Sequence, residues 1–154
     1  MNVYDPSPVP RPSGVTPPTA GDPPATRPGF QVLLVDDSPI VCERLSALIN
    51  QLHRPIRVAV ATDGAQAVAL FKQLQPAAVV LDLELPGLSG FDLLEQFKRR
   101  RPGCVVIILT TYAYPEFREN ALRLGADHFF AKAMEFERVT EVLSALLVPP
   151  PLTP

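Results

Sequence analysis

Ala78-Val79-Val80-Leu81-Asp82-Leu83-Glu84-Leu85-Pro86 is a short apolar run that stops at one aspartate and gives way to a loop marked by proline and glycine. A continuous run of this kind reads as a strand buried on both faces, which puts Asp82 at the strand's carboxyl end. Open α/β sheets place their chemistry at that end. An isolated aspartate there is more commonly a helix cap or a turn residue. Its meaning therefore depends on what else reaches the same point.

Upstream, Val32-Leu33-Leu34-Val35 is a second branched apolar run, and it also ends in carboxylates, Asp36-Asp37. Ser38-Pro39 then supplies a capping hydroxyl and a proline for the first helical position. Val41, Leu45, Leu48 and Leu52 follow at helical spacing. Ile56, Val58 and Val60 alternate with Arg57 and Ala59, the pattern of a partly wet strand at a sheet edge. Asp63 and Gln66 have capping-box spacing before a helix whose apolar face is Ala67, Leu70, Phe71 and Leu74, stopped at Pro76.

Downstream, Ser89 and Asp92 again have capping-box spacing, and Phe91, Leu94 and Phe97 carry the third helix. Lys98-Arg99-Arg100-Arg101 falls where cations offset the dipole at a helix carboxyl end, before Pro102-Gly103, and so is not read as a binding patch. Val105-Val106-Ile107-Ile108-Leu109 is a third continuous run, ending in Thr110-Thr111. A fourth helix starts near Pro115, carries Phe117, Ala121 and Leu124, and stops at Gly125 in a left-handed conformation. Phe129 and Phe130 mark a fifth strand leading to Lys132, and Val139, Val142, Leu143 and Leu146 mark the last helix.

Five strands alternate with five helices, which predicts an α/β fold with a doubly wound parallel sheet. The three continuous runs belong in the centre and the two mixed ones at the edges. Strand order 2-1-3-4-5, the flavodoxin-like three-layer sandwich, meets that condition. It opens a crevice where the first and third strands diverge.

The composition limits the rest. With 154 residues, 47 % apolar content and a formal net charge of −2, the chain has enough material for one cored domain, and no field suited to nucleic acid or an anionic membrane. Nine of the 19 prolines lie within residues 1–29 and four within the last six. Residues 1–29 and 148–154 are therefore expected to be Pro-rich disordered tails, including Pro8-Val9-Pro10-Arg11-Pro12, around a folded unit at 30–147. No run of signal-peptide or membrane-spanning length is seen, so a soluble, cytoplasmic protein is expected. Cys42 and Cys104 are far apart and outside any CxxC arrangement, and both read as buried free thiols.

In the predicted crevice, the first and third strands bring together Asp36, Asp37 and Asp82. Such a cluster is unfavourable unless protons or a cation neutralise part of it. Oxygen donors without His or Cys point to Mg²⁺, a hard ion that keeps open positions for phosphate oxygens. Thr110 adds a hydroxyl and Lys132 a positive charge, a set that suits a phosphoryl group. Asp82, lying centrally, is the candidate nucleophile, since a carboxylate can attack phosphorus when metal and lysine spread the charge. No His or Glu is placed to act as a strong hydrolytic base, so the acyl phosphate is expected to persist.

These residues, in this order and spacing, resemble the receiver domain of two-component response regulators, across about Phe30 to Leu147. The resemblance rests on Asp36-Asp37, on Asp82-Leu83-Glu84-Leu85-Pro86 with Gly90, on Thr110, and on Lys132 after Gly125-Ala126-Asp127. It implies that Asp82 accepts phosphate from the phosphohistidine of a histidine kinase or phosphotransfer protein. It also implies that Asp37 and Asp82 bind Mg²⁺ directly, with Asp36 helping through water and Glu84 through its backbone carbonyl. Thr110 and Lys132 would each hold a phosphoryl oxygen, and Thr110 and Phe129 would be the switch residues. The downstream effector would read the face made by helix four, strand five and helix five, and a phosphorylation-dependent homodimer is compatible with this scheme. With no output domain after Leu147, a stand-alone receiver, similar to chemotaxis regulators and not an enzyme in its own right, is expected.

Three positions depart from the family pattern. Ala133 follows Lys132 where a cis-bonded proline is usual, and a cis bond to alanine would cost about 3 kcal/mol or more. Phe129 replaces the commoner tyrosine. Thr111 stands where a small residue is common, and is expected to narrow water access to the phosphoryl group. A non-switching, receiver-like interaction module is the alternative suggested by Ala133 and Phe129. A small aspartate phosphatase fits less well, because Glu84 stands where such enzymes usually carry a second Asp. A flavin site fits least, since acids line the crevice.

Overall fold

The computed structural model describes residues 30–147; the two proline-rich tails expected at 1–29 and 148–154 lie outside the described residues. Five strands and six helices follow one another: β1 (Phe30–Val35), α1 (Pro39–Asn50), β2 (Ile56–Ala61), α2 (Gly64–Leu74), β3 (Ala78–Leu81), α3 (Gly90–Arg100), β4 (Val105–Thr110), α4 (Pro115–Arg123), β5 (His128–Ala131), α5 (Lys132–Glu135) and α6 (Arg138–Leu146). The strands form one parallel sheet in the order β2-β1-β3-β4-β5. The three continuous apolar runs are its centre and the two mixed ones its edges, as the sequence patterns require.

Alternation along the strands divides the core into two layers. Val32, Leu34, Val80, Ile107, Leu109 and Phe130 face Leu45 and Ile49 of α1 and Val139 and Leu143 of α6. Leu33, Val35, Val79, Leu81, Val106 and Ile108 face the other way, onto Phe71 of α2, Leu93, Leu94 and Phe97 of α3, and Ala121 of α4. Phe71 and Phe97 stack at 4.2 Å between ring centroids and close the α2–α3 seam. Each fully buried Leu, Ile or Phe contributes roughly 1.5–3 kcal/mol relative to exposure, so these two layers supply the main drive for the sandwich.

The helix boundaries follow from local chemistry. Ser38 caps α1 through Val41 N–H with Pro39 in the first turn, and Asp63 caps α2 through Gln66 N–H at 2.8 Å. The reciprocal bond of that second cap goes one residue upstream, where Gln66 Oε1 accepts from Thr62 N–H. The Ser89 cap also differs from the spacing-based expectation: its hydroxyl accepts from Phe91 N–H rather than from that of Asp92. Gly125, at φ +112°, ends α4 with Ala126 N–H bonded to Ala121 C=O and Gly125 N–H to Leu122 C=O, a Schellman closure. The basic run at the end of α3 does more than offset the dipole. Lys98 Nζ bonds Cys104 C=O and Asp127, and Arg101 bonds Gln75 C=O.

One element was not anticipated. The chain turns helical at Lys132 itself, making α5 a separate short turn before α6, where one last helix was expected.

Candidate functional site

Parallel pairing sets the site. Val35 is in register with Leu81, and Asp82 N–H donates to Val35 C=O at 3.0 Å, so the acids that follow β1 and β3 emerge side by side. Oxygens of Asp36, Asp37 and Asp82 lie within 4.8 Å of one another. Asp36 and Asp82 are buried and Asp37 is exposed. Each buried carboxylate is oriented by the backbone two residues on: Ser38 N–H donates to Asp36 Oδ1 at 2.9 Å, and Glu84 N–H to Asp82 Oδ1 at 3.1 Å. These are side-chain turns typical of aspartate at a strand-to-loop junction.

Lys132 enters from the end of β5. Its Nζ is 2.7 Å from Asp36 Oδ2 and 3.0 Å from Asp82 Oδ2. Burial pushes the Asp82 carboxyl above the ordinary carboxylate range, although the Lys132 ammonium and the Glu84 N–H both favour its charged form. Burial works against the Lys132 charge, but its hydrogen bonds to Asp36 and Asp82 outweigh that and raise its pKa. Three carboxylates facing one ammonium leave an excess of negative charge with oxygen donors only. That donor set fits a hard divalent cation.

Thr110 closes the other wall. It is fully buried at the end of β4, paired in register with Ala131, and its Oγ1 accepts from Tyr112 N–H at 3.2 Å. Beyond it, the Tyr112 and Tyr114 rings lie 6.1 Å apart, Tyr114 meets Phe117 edge-on at 5.4 Å, and Phe117 meets Phe91 of α3 at 5.7 Å. An aromatic series therefore runs from the Thr110 loop to the α3–α4 groove. Thr111, just beyond Thr110, is exposed.

Phe129 is only 3 % exposed, packed in the layer under α2, α3 and α4. Arg118 of α4 donates to its carbonyl at 3.1 Å and holds its guanidinium 5.7 Å from the ring centroid. Sequence reasoning did not single out Arg118, whose role depends on the docking of α4 against β5. It also passed over Glu135, whose carboxylate accepts from Ala131 N–H at 3.0 Å. The Lys132–Ala133 bond is trans, no cis peptide bond occurring among the described residues.

Of the seven residues expected at the site, Asp36, Asp37, Asp82, Glu84, Thr110 and Lys132 lie at the carboxyl ends of β1, β3, β4 and β5 or in the loop after β3, whereas Phe129 is the second residue of β5 and packs in the layer beneath. Residues 32–144 match the family described as Response regulator receiver domain. The chain belongs to the response regulator receiver family. Among curated relatives, the probable transcriptional regulatory protein TcrX of Mycobacterium tuberculosis is 35 % identical over 116 residues, covering 75 % of this chain and 49 % of that protein. The receiver domain of a DNA-binding response regulator from Colwellia psychrerythraea superposes with a TM-score of 0.72 at 22 % identity, over 77 % of this chain and 98 % of that one, a likeness of fold. The response regulator domain of Thermotoga maritima CheB superposes at 0.66 with 28 % identity, over 79 % and 99 %. The chain spans about half the length of the curated relatives it matches, or less.

Proposed function

We propose that this receiver takes a phosphoryl group onto Asp82 from a histidine kinase or histidine phosphotransfer protein and passes the signal on through a changed interaction face. The observation that carries this reading is the meeting of Asp36, Asp37 and Asp82 within 4.8 Å under the Lys132 ammonium, with buried Thr110 on the adjoining strand. Asp36, Asp37 and Asp82 would hold Mg²⁺, with the Glu84 backbone carbonyl beside them. When bound, the ion would supply charge neutralisation for the incoming phosphoryl oxygens.

In the transfer, an Asp82 carboxylate oxygen forms the new bond to phosphorus as the bond from phosphorus to the donor's imidazole nitrogen breaks. The electron pair of the broken bond stays on the imidazole. Lys132, already beside Asp82, takes one phosphoryl oxygen, and the Thr110 hydroxyl takes another. Thr111, exposed just beyond Thr110, would restrict attacking water and slow loss of the phosphoryl group. Ile40 of α1 and Met134 of α5, 75 % and 85 % exposed, offer apolar contacts to the phosphodonor just past the β1 and β5 ends. The effector reads the face of α4, β5 and α6, the protein acts in the cytoplasm as a signalling domain rather than as an enzyme, and it contacts no nucleic acid itself.

Incubation with acetyl phosphate and Mg²⁺, followed by intact mass, tests the reading. One phosphoryl group is expected on the wild-type chain and none on Asp82→Asn; a phosphorylated Asp82→Asn chain, or a wild-type chain that gains no mass, would overturn it. A second reading is a non-switching interaction module, favoured by a Phe129 ring packed in the core with Arg118 on its carbonyl. Partner binding indifferent to Mg²⁺ and beryllofluoride would select that reading.

A further inference from the structure

Lys132 is the first residue of α5, and Ala131, at the N-cap, has no side chain able to cap it. The cap is supplied from within the helix. Glu135 Oε1 accepts from Ala131 N–H at 3.0 Å, while Glu135 Oε2 accepts from Arg138 at 3.1 Å. The Arg138 guanidinium in turn lies 4.9 Å over the ring of Phe130, which is buried against α6. A run of contacts therefore leads from the core, through Arg138 and Glu135, to the backbone immediately before Lys132.

We propose that Glu135, anchored by Arg138, is a positioning residue that aims Lys132 into the carboxylate cluster. A lysine has four rotatable side-chain bonds, and holding it in one direction costs conformational entropy unless its backbone is already fixed. Ala133, exposed and joined by a trans bond, contributes no ring that would fix it. The register Thr110↔Ala131 places the residue gripped by Glu135 opposite the hydroxyl of the site. The Arg138–Glu135 pair is itself too solvent-exposed, at 57 % and 32 %, to matter much as an ion pair. Its contribution is the direction it gives to the β5–α5 turn, so loss of Glu135 should leave the fold standing and release Lys132.

The test uses Glu135→Ala, Glu135→Gln, Lys132→Ala and the Glu135→Ala/Lys132→Ala double variant. In the ligand-free protein, the side-chain ¹⁵N signal of the Lys132 ammonium should be visible in the wild type and retained in Glu135→Gln, which keeps an acceptor for Ala131. It should be lost to fast exchange in Glu135→Ala. The binding consequences rest on the phosphoacceptor reading. Glu135→Ala should bind Mg²⁺ more tightly, because the competing ammonium has left, yet bind beryllofluoride about tenfold more weakly. The double variant should bind beryllofluoride no worse than Lys132→Ala. A merely structural role for Glu135 would lower both affinities, and its losses would add to those of Lys132→Ala. An unchanged Lys132 signal in Glu135→Ala, or additive losses, would overturn the proposal. A wild-type chain that binds no beryllofluoride would count against the phosphoacceptor reading, and the Lys132 signal would then decide the positioning role alone.

Discussion

Lys132 Nζ approaches Asp36 Oδ2 at 2.7 Å, closer than its 3.0 Å approach to Asp82 Oδ2, so one ammonium is shared by carboxylates from two neighbouring strands. Any divalent cation in the cluster competes with it for the same oxygens. Lys132→Ala should therefore tighten Mg²⁺ binding, measured by calorimetry at low salt, where exposed charges are least screened. The same change should slow phosphorylation by acetyl phosphate about a hundredfold, because a donor aimed at the transferring group has been lost.

Gly90 begins α3 directly against the backbone of Asp82 and Leu83. A Cβ there would fall 2.4 Å from Leu83 Cα and 2.7 Å from the Asp82 carbonyl oxygen, both backbone atoms that cannot rotate away. Gly90→Ala is expected to cost about 3 kcal/mol in urea unfolding. Gly103→Ala, where a Cβ meets nothing within 4 Å, should stay within about 0.5 kcal/mol of the wild type.

Phe129 is packed inward, with Arg118 on its carbonyl. Truncation to alanine should cost about 3–5 kcal/mol, the loss expected for a buried aromatic ring. Arg118→Ala, judged by NMR of the Phe129 ring, should increase the ring's mobility with a smaller stability loss of about 1 kcal/mol.

Burial is the main cause that pushes the thiols of Cys42 and Cys104 up to about 11. At neutral pH both should react with a thiol reagent far more slowly in the native chain than in urea, since the thiolate is the nucleophile. The sign of the linkage follows. Between the ordinary thiol pKa and about 11, the unfolded chain has lost protons that the folded chain retains, so stability falls as pH rises through that window. A Cys42→Ala/Cys104→Ala variant should show a shallower fall over the same range.

The sheet was legible because its strands are continuous or alternating apolar runs, a signal that depends only on which faces are buried. The acids, Thr110 and Lys132 were legible for a related reason: each directly follows such a run, and parallel pairing brings all strand ends to one edge. What escaped was set by contacts between elements. Arg118 reaches Phe129 only because α4 lies over β5, and nothing in its local sequence marks it. Lys98 reads as a helix-end cation until the fold brings Asp127 to 3.0 Å from its ammonium. The turn at Lys132 was missed because Ala131 is no usual cap, and the capping carboxylate comes from Glu135, four residues on. The Ser89–Asp92 spacing, by contrast, suggested a reciprocal cap that the chain does not use.

The aromatic series beyond Thr110 has an optical consequence. The chain has no tryptophan and three tyrosines, and two of these, Tyr112 and Tyr114, lie in the loop after β4, where the Tyr112 N–H donates to the Thr110 hydroxyl. Two of its three tyrosine chromophores thus sit in the loop that follows Thr110. Displacement of Thr110 would alter the coupling between those two rings and between Tyr114 and Phe117, so the protein carries its own spectroscopic gauge of the state of its site without a label.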